Sequence, residues 1–409
     1  MSTPAFSFAC IGCGSSVAAS IHDLESRCCG LPFEVRYSGP ASTRQPRLPL
    51  AFGGARVTLG EGYTPVLELK KSGRAIGVER LWAKLENVAP TGSFKDRGSA
   101  VLVSAALQSG IAEFVEDSSG NAGASLAAYA AAGGLKAHVF VPASAAQGKL
   151  DQISVFGAAL HPVGGARQAA TDAARRFAAD RSLPYMSHNL SPYFTEGMKS
   201  VAYEVAASEA AEASDIVFPV GNGSLLVGAH RGFIELAEAG GAAARPAGAG
   251  GAGSRGAAGG NGWATSGMPR LHAVQATAVQ PVVRALAGSP SRQPPLPSAP
   301  APRPPLPTVA SGIAVSHPPR LRQVVAAVTA TGGRGVAVAD ADILRWQRRL
   351  AAAEGIFCEA TSAAAFAGLE ALVRAGHIPA SARVLVPVTG SGLKEPLRPE
   401  SGTSPASWS

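Results

Sequence analysis

Cysteine is scarce: five in 409 residues, four of them, Cys10, Cys13, Cys28 and Cys29, inside the first thirty. That supply excludes a disulfide-stapled scaffold and leaves a thiol cluster to be explained otherwise. Lysine is scarcer than the net charge of +8 suggests, with eight among the 36 Lys and Arg residues. The arginines are scattered, and no basic block interleaved with aromatics appears, so a pI near 9.5 does not make a nucleic-acid surface. The milder reading is a field that favours small anionic molecules. No transmembrane run is evident, so no membrane partner is expected. Met1 to Ala9 has no basic region followed by a long apolar one, which makes the cytoplasm the expected location.

Hydrophobic residues make up 46% of the chain, enough for large cores, and the length suits two to three domains. Apolar runs alternate with Ala-rich helical segments, the pattern of an α/β protein with parallel strands covered by helices. Within it, Pro90-Thr91-Gly92-Ser93-Phe94-Lys95-Asp96-Arg97 breaks the strand-like Leu81 to Glu86 and opens a helical run from Asp96 to Leu107. Lys95 therefore stands at a helix start, where the dipole disfavours an ammonium and favours the neutral amine that attacks an aldehyde. A solvent-facing helix lysine is the plain alternative.

Three more segments follow in order: Ser118-Ser119-Gly120-Asn121-Ala122-Gly123, Pro219-Val220-Gly221-Asn222-Gly223-Ser224 and Thr389-Gly390-Ser391-Gly392-Leu393-Lys394. Together with the Lys95 octapeptide they resemble the pyridoxal-phosphate enzymes of fold type II, the tryptophan synthase β family, and within it the threonine synthase branch. The resemblance covers about residues 5 to 396. It implies two three-layer αβα domains with the cofactor in the cleft between them. It also implies a lyase of amino-acid biosynthesis converting O-phosphohomoserine to threonine plus phosphate.

A protein that holds pyridoxal phosphate needs an imine lysine, a phosphate anchor, partners for the ring hydroxyl and ring nitrogen, and a grip on the substrate carboxylate. Lys95 is the candidate for the first, with Phe94 beside it. Gly221, Asn222, Gly223, Ser224 and Leu225 lie between a buried strand and a helix from Leu225 to Ala239, a loop whose N–H groups suit a phosphate dianion. They lack the Gly-Lys-Ser/Thr of a nucleotide loop and the three-glycine spacing of a dinucleotide site, although a generic strand-to-helix turn would read the same way. The resemblance assigns Asn121 to the ring hydroxyl and Ser118 and Ser119 to the carboxylate, while a helix-capping asparagine is the plain alternative. It assigns Thr389 to the ring nitrogen, with Ser391 as fallback. A neutral hydroxyl there leaves the nitrogen largely unprotonated, which suits eliminations and replacements rather than transamination. Glu359-Ala360-Thr361-Ser362 resembles a family segment beside the cofactor and is assigned no step.

The expected domains are an N-terminal element resembling a degenerate zinc knuckle over 1–35, a large cofactor domain over 36–112 and 189–396, and a small inserted domain over 113–188. Gly/Ala-rich and Pro-rich stretches at 242–267 and 288–307 read as flexible insertions, and 397–409 as a disordered tail. In the N-terminal element a Cys-x-x-Cys turn and a second thiol pair have a zinc-knuckle layout. Cys28 and Cys29 are adjacent, however, so both are not expected to reach one tetrahedral ion easily. Structural zinc on Cys10, Cys13, Cys28 and Cys29 and a metal-free knuckle are both open. The resemblance implies that Leu59 to Pro65 closes over the cofactor site from below the sheet, with an ordinary loop as the plain alternative.

The match departs from the family at Ala166 and Phe194, where the resembled enzymes place an asparagine and an arginine on the substrate phosphate. Arg167 or Lys199 are the possible substitutes. A small amino acid is the expected substrate and a homodimer the expected assembly. The alternatives are β-replacement or β-elimination on a serine-, cysteine- or phosphoserine-type amino acid, and a cofactor-binding or regulatory protein without turnover.

Overall fold

The computed structural model describes residues 6–51, 53–145, 147–165, 167–243, 267–288 and 308–395. The expected insertions and tail fall almost wholly outside these residues, and Ala166 does too. Six strands form the larger sheet in the order Gly335–Val338, Arg270–Ala276, Asp215–Pro219, Arg383–Pro387, Arg80–Lys84, Val66–Glu68. The first five run parallel and the last antiparallel at the edge.

Both faces of this sheet are buried, which is why its strands read as continuous apolar runs. Successive side chains enter different cores. Leu81, Ala83, Val217, Val274, Val384 and Val386 pack with helices Asp340–Glu354 and Ala360–Arg374. Trp82, Ile216, Phe218, Ala273 and Leu385 pack on the opposite side, with helices Lys95–Gln108, Ser200–Ala206 and Ser224–Ala243. The sequence from Pro192 to Ala211 reads as one helix returning to the larger domain, but the structure has three short pieces there: Pro192–Gly197, Ser200–Ala206 and a 3₁₀ turn at Glu209–Glu212. Ser191 caps the first by accepting the Phe194 N–H.

A second sheet, Glu113–Glu116, Lys136–Pro142 and Ala159–Val163, is parallel throughout. Its helices are Asn121–Gly133, Gln147–Val155 and Arg167–Asp180, and Tyr185 bridges to Val115 as a short further strand. A third sheet, Ser16–Val17, Phe6–Cys10 and Phe33–Tyr37, is antiparallel. It docks through Phe8, whose ring lies 5.3 Å from that of Tyr193 and 5.8 Å from that of Phe33. No helix among the described residues is long and apolar enough to cross a membrane.

Candidate active site

Lys95 is the first residue of its helix, and the two residues after it anchor that helix. The Asp96 carboxylate folds back to accept the Thr91 N–H at 2.7 Å and the Thr91 hydroxyl at 2.5 Å, and also takes the Ser125 hydroxyl at 2.6 Å. These bonds fix the Pro90–Phe94 turn to the helix it precedes. Arg97 points the other way and is almost fully buried. Its guanidinium donates to both oxygens of Glu86, at 2.7 and 2.8 Å, and to both oxygens of Glu204, at 2.5 and 2.8 Å. Lys84 adds a bond to Glu204 at 2.7 Å. The Leu59–Pro65 stretch borders this ion cluster: Thr64 bonds Glu86 at 2.7 Å and a Cβ on Gly62 would meet Glu204 at 3.0 Å. That places it behind the helix rather than over Lys95, correcting the expectation for this loop. A cavity of about 680 Å³ lies there, lined by Glu61, Tyr63, Arg97 and Glu204 and not by Lys95.

The amine of Lys95 has no hydrogen bond or ion pair among the described residues. It stands 4.6 Å over the ring of Phe94 and 5.7 Å over that of Phe194. Withdrawal from water pushes it down to about 8, while the carboxyls of Glu116 and Glu359 pull it back up. Burial, more than the helix end, is therefore what makes the neutral amine accessible. Phe94 N–H donates to the Thr389 carbonyl at 3.1 Å, Ser391 N–H to the Gly92 carbonyl at 2.9 Å, and Ser93 bridges Gly390. The lysine turn and the C-terminal Thr389–Ser391 segment, nearly three hundred residues apart in sequence, are thus stitched edge to edge.

Gly221 to Leu225 connect strand Asp215–Pro219 to helix Ser224–Ala243. The N–H groups from Asn222 to Leu226 have no partner among the described residues. Gly223 has φ +89°, and a Cβ there would sit 2.2 Å from Val324 Cγ2, so only glycine turns the chain at this point. Five open donors at the start of a twenty-residue helix form an anion cradle. The Asn222 amide donates to Asn189, the residue after His188.

Asn121 starts helix Asn121–Gly133 but does not cap it: Gly120 is the N-cap, without a side-chain bond. The Asn121 amide instead donates to Glu359 at 3.0 Å and accepts from Lys394 at 3.1 Å. Ser118 is buried and its hydroxyl takes the Gly120 N–H at 3.3 Å. Ser119, half-buried, lies beside it. The turn is tight because a Cβ on Gly123 would overlap the Ser118 carbonyl at 1.9 Å. Thr389 is buried, with its hydroxyl 3.0 Å from that of Ser362. The Ser391 hydroxyl oxygen accepts the Leu393 N–H, closing a 3₁₀ turn, and its O–H is left as a donor. Glu359, buried next to these groups, is held above the usual carboxylate range, chiefly by burial.

Of the two substitutes for the missing phosphate ligands, Lys199 is consumed. It is fully buried, paired to Glu196 at 2.5 Å and Glu235 at 2.7 Å, and stacked 4.5 Å over Tyr37. Arg167 is half-exposed at 49% and lies 3.5 Å from Asp117, which leaves it accessible. Sequence reasoning passed over Glu116, Asp117 and His188. Glu116 is fully buried, 2.6 Å from His188 Nδ1, and Asp117 holds Thr171 and Arg167. The signal was present in Phe114-Val115-Glu116-Asp117, two acids ending an apolar strand just before the Ser-Ser-Gly-Asn turn.

The N-terminal thiols depart from expectation in the opposite sense. The sulfurs of Cys10, Cys13, Cys28 and Cys29 all lie within 4.8 Å of one another, so the adjacent pair does reach a common centre. Hydrogen bonds from Ser15, Cys13 and Ser26 bring Cys28 down to about 6.

Beyond the ends of their strands the two sheets therefore offer a partner-free lysine amine, a run of open loop amides, and the polar side chains of Asn121 and Thr389. These features fit pyridoxal phosphate, whose aldehyde carbon Lys95 would hold, with Gly221–Leu225 at its phosphate and Asn121 and Thr389 at the edge of its ring when the cofactor is bound. A family model described as pyridoxal-phosphate dependent enzyme matches residues 57–390. The chain is 32% identical over 343 residues to a threonine synthase of Methanosarcina acetivorans, covering 83% of this chain and 77% of the relative. It is also 32% identical over 363 residues to one of Synechocystis sp., covering 88% and 84%. Among solved structures it superposes on a pyridoxal 5'-phosphate-dependent aspartate racemase with TM-score 0.64 and 21% identity, over 80% of this chain and 90% of that one. On a fungal L-serine ammonia-lyase from Rhizomucor miehei the TM-score is 0.63 at 19% identity, over 82% and 95%. At these identities the structural likeness speaks to fold.

Proposed function

This chain belongs to the family of pyridoxal-phosphate-dependent enzymes, and we propose that within it the protein acts as a threonine synthase-like lyase, converting O-phosphohomoserine to threonine and phosphate. The observation that carries the reading is the partner-free amine of Lys95, linked through Phe194, His188 and Asn189 to the open amides of the Asn222 loop. When bound, the cofactor would supply an electron sink for bonds broken at the amino acid's α-carbon. The protein's share is to hold and time protons. Lys95, lowered to about 8, gives and takes one near neutral pH. Ser118, Ser119 and the start of helix Asn121–Gly133 receive the substrate carboxylate. A ring nitrogen facing the Thr389 hydroxyl gains no formal charge from the protein, which supports elimination and replacement over transamination.

A second reading, β-replacement or β-elimination on a serine-, cysteine- or phosphoserine-type amino acid, is favoured by one feature. Phe194 puts an apolar ring beside Lys95, and Arg167 is the one candidate still accessible for a second anion. The four clustered thiols support a structural zinc ion in the N-terminal element, since tetrahedral thiolate ligands require spacings of this order. Free thiols at all five cysteines support a reducing, cytoplasmic setting. Exposed Leu67 in the open edge strand Val66–Glu68, with exposed Tyr63 shortly before it, supports a homodimer through that face.

The test is titration of purified protein with pyridoxal phosphate, followed by absorbance, then assay with O-phosphohomoserine, serine, O-phosphoserine and threonine. The expected outcome is a lysine-linked visible band, absent in Lys95→Ala, and threonine plus phosphate from O-phosphohomoserine. Turnover of the serine-type substrates alone would select the second reading. A band with no turnover of any would indicate a binding or regulatory protein, and no band at all would overturn both enzyme readings.

A further inference from the structure

Glu116 and His188 take no part in the scheme above, yet they are a deeply withdrawn ionisable pair beside Lys95. Glu116 ends strand Glu113–Glu116 and is fully buried; His188 is 5% exposed. The carboxyl grips the histidine twice, with Oε1 2.6 Å from Nδ1 and Oε2 3.3 Å from the backbone N–H. The segment that follows His188 is clamped as well: buried Arg320 donates to the carbonyls of Asn189, Leu190 and Ser191 at 3.2, 2.8 and 3.2 Å. With Nδ1 engaged, His188 Nε2 is left without a partner among the described residues. The imidazole stands edge-on to Phe194, ring centres 5.7 Å apart at 67°, and the Lys95 amine lies 5.7 Å over that same ring. The lysine amine and an imidazole of fixed orientation, its outer nitrogen unused, thus both lie against one aromatic ring.

Resting on the lyase reading of the cleft, we propose that Glu116 and His188 form a proton relay serving the leaving group at the side-chain end of the substrate, while Lys95 serves the α-carbon. In its simplest, β-eliminating form the α C–H bond breaks and its proton goes to Lys95. The bond from the β-carbon to the leaving oxygen breaks with its electron pair, and that oxygen takes the proton from Nε2. Nδ1 then takes the proton of the Glu116 carboxyl, and a carbon–carbon double bond remains in the substrate. The relay ends as a carboxylate bonded to Nδ1–H, and one proton passed back from Lys95 through water resets it. Glu116 is a positioning residue and proton store; His188 is the group that meets the leaving oxygen.

The charge balance agrees with this starting state. Burial first, and then the charge of Asp117, raise Glu116 well above the carboxylate range, against the opposing pull of Arg167 and Lys95. Burial, with the positive charges of Lys95 and Arg167, keeps His188 neutral. Tyr185, facing both acids from the neighbouring bridge, is itself raised and stays a neutral phenol.

Two measurements test the relay. In apoprotein labelled with ¹⁵N-histidine, His188, assigned by its loss in His188→Gln, should show at pH 7 a protonated Nε2 and an unprotonated Nδ1. An Nδ1–H tautomer or an imidazolium would overturn the proposal without reference to turnover. In holoenzyme, Glu116→Gln should lower elimination from L-serine, whose oxygen needs a proton, by about 10²–10⁴-fold. Elimination from β-chloro-L-alanine, whose chloride needs none, should fall less than about tenfold. Equal losses on the two, with the cofactor band intact, would make the pair structural and sink the relay. Absence of the band in the parent protein would instead be a failure of the lyase reading, and the tautomer would still decide the relay.

Discussion

Arg97 is the strongest test of how Lys95 is presented. Substituting Met removes the guanidinium and leaves Glu86 and Glu204 buried with Lys84 as their main counter-charge. Breaking a buried ion cluster on one side costs about 3–5 kcal/mol, a large part of the 5–15 kcal/mol that holds a typical protein folded. The pH dependence gives an independent handle. Glu204 is held at about 2 against an ordinary 4.5, chiefly by Arg97 overcoming burial, and its side chain is 10% exposed, so solvent screening is slight. That depression is worth about 3 kcal/mol. A depressed carboxylate stabilises the fold above its unfolded value and loses that contribution as pH falls through its folded one. The parent should therefore lose this contribution between about pH 4.5 and about pH 2. In Arg97→Met the larger part of the depression is gone and only that due to Lys84 is left, so the gap between parent and variant should be widest at neutral pH and narrow across that window. Urea unfolding followed by tryptophan fluorescence at several pH values measures it. A variant within about 1 kcal/mol of the parent at pH 7, or a gap that stays constant on acidification, would refute the clamp. Arg97→Lys should recover little, because one ammonium does not reproduce four fork bonds to two carboxylates.

Two further outcomes are expected. Gly223→Ala forces a Cβ to 2.2 Å from Val324 at φ +89°, so stability should fall by about 1–3 kcal/mol and the midpoint of the pyridoxal-phosphate titration should rise; an unchanged titration would show that this loop does not hold the phosphate. Metal analysis of protein purified without chelator should find about one zinc per chain, as expected for one four-thiolate site, and its removal should lower the melting temperature because the sheet carrying Cys10 packs through Phe8 on Tyr193; metal-free protein with the same melting temperature would return the element to a metal-independent knuckle.

The lysine turn, the glycine loop and the Thr389 segment were legible because each follows an apolar run and carries residues with narrow backbone demands. Glycine at φ +89° and Pro90 before a helix start announce themselves locally. What was not legible is long-range. Nothing near Arg97 in sequence names Glu204, 107 residues on, and nothing near Asn121 names Glu359, 238 residues on. Lys199 looked like a free cation for the same reason: two of its three partners, Tyr37 and Glu235, are far along the chain. The single helix expected over Pro192–Ala211 failed on a close approach, because a Cβ on Gly197 would sit 2.1 Å from the Arg97 carbonyl and the backbone bends to press against the Lys95 helix. The cysteines misled through spacing, since adjacency along the chain says little about where two side chains on a tight turn can reach.

One regularity ties the site together. Arg80–Lys84 leads to Lys95, Glu113–Glu116 to Ser118 and Asn121, Asp215–Pro219 to the glycine loop, and Arg383–Pro387 to Thr389. Every candidate therefore lies beyond the carboxyl end of a parallel strand, where open α/β sheets gather their ligands. Three of these loops run straight into helices starting at Lys95, Asn121 and Ser224, so three positive helix ends converge on the same region. Such a field suits an anionic cofactor and an amino-acid carboxylate, but it would also drive a lysine amine toward permanent neutrality. Glu359 opposes it, and so does Glu116 once it has given up its proton and stands as a carboxylate, each pulling Lys95 back up against the larger effect of burial. The amine is left near 8, where it changes protonation within the physiological range, and a group that must both accept and return a proton in one turnover needs that balance.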